Sequence, residues 1–218
     1  PMPGPISSTP PGKFAANLHA SSLTLLGTVS AVHPTILVAE TAGQVEASVE
    51  RRGITPIEVL RRTGVLDGPA ILAHAVGATP EDIECLARCG AGVAHAPKTY
   101  LKLAMGTAPV TALRAAGVPV GLATDGAVSN NTLDIWESMR LMAMTQKQAR
   151  GAPEVMPLAE VLEIATRGSA RVIGLGDRIG AVEPGFLADL ILVDMSGTHM
   201  QPLHSVTAGL VYAARSEE

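Results

Sequence analysis

Short apolar runs alternate with helical segments along most of the chain, and this alternation constrains the fold more than any other feature. Four mostly aliphatic runs begin at Pro34, Ala70, Gly92 and Val118. Strands that are apolar throughout are typical of parallel sheets covered on both faces, whereas antiparallel strands with one solvated face alternate apolar and polar side chains. Helix-start signals lie between the runs, as in Thr79-Pro80-Glu81-Asp82. The pattern therefore predicts βα repeats of roughly 30 residues and a parallel α/β fold.

Helical periodicity and start signals place the remaining elements. Besides the helix that begins at Thr79, helices are predicted over Gly43–Arg52, Thr55–Thr63, Pro109–Ala116, Leu133–Ala149 and Pro157–Arg171. The methionines of the long helix, Met139, Met142 and Met144, are interpreted as core filler. After these helices the pattern changes to an acidic turn and an alternating run over 179–195, which predicts strand and loop. We therefore expect an N-terminal arm over 1–30, a βα unit over 31–175 and a small β segment over 176–218.

Each predicted strand ends in a residue that can do chemistry. These residues are Glu40, His74, His95 and Asp125. The carboxyl ends of parallel strands meet at one edge of the sheet, where α/β folds build their sites. A capped turn or a hydrogen-bonded core histidine would explain any one of the four alone. Four in succession favour a functional site.

Composition and motifs exclude several classes of function. A formal charge of −4 and an aromatic content of 2% leave neither a cationic stripe nor a stacking platform for nucleic acid. The uncharged stretch over 14–39 contains too many polar residues and a proline for a membrane span, so no membrane contact is expected. The sequence lacks a G-x-S-x-G elbow, a phosphate-binding P-loop and a G-x-G-x-x-G fingerprint.

The chain has two cysteines, Cys85 and Cys89, which is too few for a disulfide framework. They are four residues apart in a predicted helix and therefore share a face. Structural thiols are favoured over a pair of zinc ligands, because no second Cys or His pair has finger-like spacing. Their presence as free thiols fits a cytoplasmic protein.

Three segments carry a specific resemblance. The segments PKTYLKLAMGTAPV (97–110), LATDGAVSNNTLDIWESMRLMAMTQK (122–147) and IGAVEPGFLADLILVD (179–194) resemble the amidohydrolase superfamily. The nearest branch is that of the methylthioadenosine/S-adenosylhomocysteine deaminases and chlorotriazine hydrolases. VAET (38–41) and AHAV (73–76) match earlier strand ends of the same family. The resemblance covers about Thr35 to Tyr212. It implies strands five to eight of a (β/α)8 barrel, followed by part of a β-sandwich at the C-terminus.

The resemblance also implies roles for individual residues. Asp125 matches a metal ligand and base, His74 a histidine at the metal and substrate, and Glu40 a proton shuttle. His95, Ser129 and Asn130 match positions near the substrate, although shaping the loop is at least as good an explanation for Asn130. Ala96, Tyr100, Gly77 and Ala123 differ from the commoner residues of the family, so substrate preference does not carry over. The implied cofactor is one divalent metal, zinc first and iron second.

Two departures from the family pattern leave two functions open. No His-x-His pair occurs in the chain, and Leu37 stands where the family has a histidine. His33 has the same strand parity as Leu37 but lies about 13 Å further down the strand. The first hypothesis is a metal-dependent hydrolase of carbon–nitrogen bonds that deaminates a small nitrogen heterocycle. The second is a catalytically silent fragment without a complete metal site.

A half-barrel would have two open sheet edges with unpaired backbone groups. The stretch from Phe14 to Ser30 could cover one edge, whereas a second copy of the chain could cover both, so we expect a homo-oligomer.

Overall fold

The sheet is parallel throughout. The computed structural model describes residues 33–216 of the 218-residue chain. Within them lie four strands, namely β1 (Thr35–Val38), β2 (Ile71–His74), β3 (Gly92–His95) and β4 (Val120–Leu122), hydrogen-bonded in that order. In the register between the first two strands, Thr35 pairs with Ile71 and Val38 pairs with His74. The predicted α/β fold is thus confirmed.

Helices connect the strands and follow the last one. They are α1 (Ala42–Arg52), α2 (Pro56–Arg62), α3 (Pro80–Cys89), α4 (Pro97–Lys102), α5 (Val110–Ala115), α6 (Ala127–Asn130), α7 (Ile135–Arg150), α8 (Leu158–Glu163), α9 (Ser169–Val172) and α10 (Val206–Tyr212). A π-helical turn over Ile164–Gly168 joins α8 to α9. The six helices predicted from the sequence all form, the last of them as α8, the π-turn and α9.

Local sequence fixes where the longer helices begin. Thr79 and Asp82 form a reciprocal capping box at the start of α3, in which each side chain accepts a hydrogen bond from the other residue's backbone N–H. The Thr55 side chain caps α2 and also donates a hydrogen bond to Asp82. Thr41 caps α1 in the same way. The caps of α1 and α3 therefore lie just after the carboxyl ends of β1 and β2, and Thr55 links the start of α2 to that of α3.

The core lies between the sheet and its helices. Leu72, Val93 and Val120 are completely buried in neighbouring strands, and Met139 and Met142 are buried from α7. Those two methionines are core filler, as predicted. Met144 is not, since half of its surface is exposed. It lies two residues after Met142, which is about 200° around the helix and therefore on the opposite face.

The two outer strands differ in how their edges are covered. On the free side of β4, the backbone N–H of Leu122 donates to the Ser169 hydroxyl at 3.0 Å. Gly168 lies so close to the carbonyl of Val120 that a Cβ atom at residue 168 would be 2.5 Å from its oxygen. On β1, Leu37 points its backbone groups away from β2 and hydrogen-bonds to none of the described residues. Among the described residues, the expected pair of open edges is therefore reduced to one, the outer edge of β1, because the π-turn covers the edge of β4.

The predicted C-terminal β-sandwich segment does not form among the described residues. From residue 176 to residue 216 there is no strand, only a 3-10 turn (Thr198–Met200) and α10. Leu190, Ile191 and Leu192 are exposed by 59, 73 and 97%. A strand needs a hydrogen-bonding partner, and this alternating run has none within the described part of the chain. Instead, Arg140 of α7 donates hydrogen bonds to the backbone carbonyls of Tyr212 and Ala214 and so holds the C-terminal end of the described chain against α7.

The predicted N-terminal arm over 1–30 and most of the uncharged stretch over 14–39 lie outside the described residues. Within residues 33–216, no helix combines the length and apolar character that crossing a bilayer requires.

Gly168 provides a test of how the π-turn packs on β4. Gly168→Ala should lower the free energy of unfolding by about 1–3 kcal/mol, because the added methyl group meets a backbone carbonyl that cannot rotate away. Urea unfolding followed by circular dichroism measures the change. Gly43→Ala is the matched control, since its Cβ would meet only the Thr41 hydroxyl at 3.9 Å. Equal stability of the two variants would contradict this packing.

Candidate active site

Glu40, His74 and Asp125 all lie at the carboxyl-end edge of the sheet. Glu40 follows β1 by two residues, His74 ends β2 and Asp125 follows β4 by three residues. The backbone at these strand ends turns sharply, with φ of +51° at Ala39, +79° at His74 and +64° at Asp125. Non-glycine residues rarely adopt such angles, and those that do cluster at functional sites.

Glu40 and His74 face each other. Glu40 Oε1 lies 3.7 Å from His74 Nε2, which is an ion-pair distance but too long for a hydrogen bond. Burial lowers the pKa of His74, and the negative charges of Glu40 and Asp125 oppose this shift only in part. The imidazole is therefore neutral at pH 7. Its Nδ1 has no hydrogen-bonding partner among the described residues.

The Glu40 carboxylate is tethered to the first turn of α1. Its Oε2 accepts a hydrogen bond from Gln44 Nε2 at 3.3 Å, while Gln44 Oε1 accepts from the backbone N–H of Glu40 at 2.9 Å. This reciprocal pair holds the carboxylate over the helix start, and its other oxygen, Oε1, faces His74. Glu40 remains partly exposed, so a ligand can reach its carboxylate.

One oxygen of Asp125 is used by the protein and the other is not. Oδ2 accepts hydrogen bonds from Thr99 Oγ1 at 3.0 Å and from Ser129 Oγ at 2.7 Å. Oδ1 accepts no hydrogen bond from residues 33–216. Two hydroxyl donors therefore fix the rotation of the carboxylate and leave Oδ1 available to a ligand. Ser129, predicted to bind substrate, contacts Asp125 in this structure.

Tyr100 lies between the two strand-end histidines. Its hydroxyl accepts a hydrogen bond from the Ala96 N–H at 2.9 Å and donates to the His74 carbonyl at 3.5 Å. Its ring meets the rings of His74 and His95 edge-on, at centroid distances of 5.7 and 5.2 Å. Burial raises the pKa of Tyr100, which keeps the hydroxyl protonated. The tyrosine thus couples the ends of β2 and β3.

His95 and Asn130, also predicted near the substrate, are buried beneath the surface. His95 is 1% exposed, and neither of its ring nitrogens has a partner among the described residues. Burial lowers its pKa to about 3. The Asn130 oxygen accepts from the Leu133 N–H at 2.8 Å and from the Thr132 hydroxyl at 3.1 Å. Asn130 therefore shapes the loop after β4.

Helix α4 supplies contacts to which the sequence analysis assigned no role. Thr99 holds Asp125, and Tyr100 packs on both histidines. Lys98 donates to Thr132 and Glu137, at 2.8 and 2.6 Å. The signal that could have identified them is Pro97, a helix-start residue directly after a strand end. Polar residues in the next turn must then lie at the carboxyl-end edge.

The described residues do not form a complete metal site by themselves. No group of three His, Cys, Asp or Glu side chains within residues 33–216 is arranged to hold a metal ion. His74 and Asp125 offer one nitrogen and one free oxygen, whereas catalytic zinc takes three protein ligands. Leu37 is 50% exposed and provides no ligand atom. His33 precedes β1 and packs beside Gly174, at the opposite end of the strand from Glu40.

Buried His95 predicts a pH-dependent loss of stability. The folded protein keeps His95 neutral down to about pH 3, while the unfolded chain protonates it near pH 6.5. Its contribution is therefore complete above pH 6.5 and is lost towards pH 3, by up to about 1.4 kcal/mol per pH unit. Urea unfolding between pH 7 and pH 4.5 should show a shallower decline for His95→Gln. The same pH slope in wild type, His95→Gln and the exposed control His204→Gln would contradict the prediction.

Comparison with known proteins shows which family the chain resembles. Residues 28–216 match the model of the amidohydrolase family. The 5-methylthioadenosine/S-adenosylhomocysteine deaminase of Desulforudis audaxviator is 47% identical over 179 residues, which cover 82% of this chain and 42% of the relative. That of Moorella thermoacetica is 47% identical over 183 residues, covering 84% and 43%. The chain thus spans about two fifths of the length of these curated relatives.

Solved structures give the same result. A zinc-bound adenosine deaminase from Xanthomonas campestris matches 92% of this chain and 44% of its own, with a TM-score of 0.80 and 36% identity. Atrazine chlorohydrolase from Arthrobacter aurescens, complexed with zinc, matches 91% and 42%, with a TM-score of 0.75 and 28% identity. The family match and the similarity to these relatives and structures agree with the parallel βα order, and the chain belongs to the amidohydrolase family.

Proposed function

We propose that the chain contributes the proton-transfer part of a hydrolytic deaminase for small nitrogen heterocycles. The observation that carries the proposal is the approach of Glu40 to His74, at 3.7 Å, on the edge that also bears Asp125. The names of the relatives support it, since they are deaminases of adenosine-type compounds and a chlorohydrolase of a triazine. Deamination of such a ring requires a proton on the ring nitrogen while water adds to the adjacent carbon.

Glu40 is the proposed proton carrier. It is partly exposed, its Oε2 is anchored by Gln44, and its Oε1 points towards the neutral His74. A carboxyl group in this position can give a proton to a ring nitrogen and later receive one from the attacking water. His74 orients the substrate through a neutral imidazole nitrogen. Asp125 takes the first proton of the attacking water at Oδ1, because hydroxyl donors already occupy Oδ2. It passes that proton to the exocyclic amine, which leaves as ammonia, and Glu40 recovers its proton from the added hydroxyl as the carbonyl forms.

A divalent metal, zinc before iron, would supply water of lowered pKa in such a reaction. His74 and Asp125 are the two ligands that this part of the chain offers, one fewer than a catalytic zinc takes. We propose that the remaining ligands come from outside residues 33–216. We also propose a cytoplasmic homo-oligomer that binds a small heterocyclic substrate and neither nucleic acid nor membrane.

A catalytically silent member of the family is the second candidate. Leu37 and the lack of a three-ligand group in the described residues favour it. The two candidates differ in what Glu40 and Asp125 do, and both residues can be tested on the purified chain.

Loss of the Glu40 carboxylate should abolish turnover. Glu40→Gln keeps the shape of the side chain but cannot carry the proton, so ammonia release should fall at least about 100-fold. The assay is ammonia production from adenosine-type, guanine, pterin and triazine compounds with added zinc. Glu46→Gln, on the exposed side of α1, is the matched control and should keep full activity. Activity that survives in Glu40→Gln would contradict the role of Glu40.

Metal content separates the two candidates. The deaminase proposal predicts close to one zinc or iron per chain, and loss of that metal in Asp125→Ala, measured by elemental mass spectrometry on chelator-free protein. Asp134→Ala is a matched control, because Asp134 caps α7 and lies outside the site. A chain without bound metal and without ammonia release would favour the silent candidate.

A further inference from the structure

The two cysteines of α3 form a pair with no role in the site described above. Cys85 Sγ and Cys89 Sγ are 4.0 Å apart, one helical turn from each other, and both are free thiols. Helix α3 starts at the carboxyl end of β2 and runs back along the sheet, and Cys89 is its last residue. The pair therefore lies towards the opposite edge from Glu40, His74 and Asp125.

The protonation of the pair restricts what it can bind. Burial raises the pKa of Cys85 to about 11, and the neighbouring Cys89 adds to the shift. At neutral pH Cys85 is therefore a thiol, whereas zinc needs thiolates. Zinc also needs further ligands, and the described residues complete no three-donor group around these sulfurs. A ligand that reacts with protonated thiols and needs only two sulfur donors fits this pair better than zinc does.

We propose that Cys85 and Cys89 form a chelating site for monosubstituted trivalent arsenicals, R–As(OH)2. Each thiol passes its proton to one arsenic-bound hydroxyl, two arsenic–oxygen bonds break, two arsenic–sulfur bonds form and two waters leave. The arsenic remains trivalent and its carbon substituent is retained, so neither an oxidant nor a reductant is required. Trivalent arsenic is a soft centre, and soft centres prefer sulfur ligands such as these two cysteines.

The geometry of the helix suits a bridge by one atom. Trivalent arsenic is pyramidal, so with bonds about as long as zinc–thiolate bonds, about 2.3 Å, its two sulfurs lie roughly 3.5 Å apart. The observed 4.0 Å is close to this separation, and a small rotation of the partly exposed Cys89 side chain closes the difference. Cys89 is partly exposed and would react first, and Cys85, which is 4% exposed, would then close the ring. The second bond forms within one molecule, so the chelate is far tighter than a single-thiol adduct.

Phenylarsine oxide, which hydrates to the dihydroxide, is the probe for this site. Intact-mass spectrometry of the reduced, folded full chain should show one adduct that carries one phenylarsenic group and has lost two hydrogens. Both thiols should become unreactive towards iodoacetamide, and excess ethanedithiol should restore them. Cys85→Ser and Cys89→Ser should each lower the apparent affinity at least about 100-fold. Ala87→Ser, between the two cysteines, is the matched control and should bind as wild type does.

Circular dichroism shows whether each variant remains folded. Repeating the reaction in urea shows whether the adduct requires the folded helix or only two cysteines in an unfolded chain. The proposal is wrong if the folded chain forms no adduct, if the adduct forms only in urea, or if a single-cysteine variant keeps full affinity. It is independent of the deaminase proposal, because no residue of that site takes part.

Discussion

The parallel pairing of β1 with β2 is the interaction on which the candidate site depends. This register places Val38 beside His74, and two further residues bring Glu40 to the imidazole. A shift by one residue would turn every side chain of β1 to the other face of the sheet. Buried Val38 fixes the register, because a shift would turn it to the face on which Leu37 is half exposed. The approach of Glu40 to His74 is thus a consequence of core packing two residues away on β1.

Helix α4 extends this arrangement to the rest of the site. Adjacent residues, Thr99 and Tyr100, hold the Asp125 carboxylate and the two histidine rings respectively. The helix is only six residues long and is buried at three of them. Its stability therefore depends on tertiary contacts rather than on intrinsic helix propensity. The parts of the site that come from β2, β3 and β4 are connected through this one short element.

Much of this could be predicted from the sequence, and the exceptions have physical causes. The strands from Thr35 to Leu122 and the longer helices follow from apolar runs and start signals. Helix α4 was not predicted, because the residues that it buries are Pro97, Thr99 and Tyr100 rather than an aliphatic stripe. The strand expected after the acidic turn of the 179–195 segment is absent among residues 33–216, because an alternating run forms a strand only where a hydrogen-bonding partner exists. The contact of Ser129 with Asp125 depends on the loop fold, which no spacing rule contains.

A crystal structure of the chain at neutral pH is the most direct measurement of the central claim. The account predicts His74 Nε2 within about 4 Å of the Glu40 carboxylate. It also predicts that the Thr99 and Ser129 hydroxyls bind the same oxygen of Asp125, at the carboxyl ends of parallel strands. Antiparallel pairing of β1 with β2, or an Asp125 carboxylate on a different edge from His74, would contradict it.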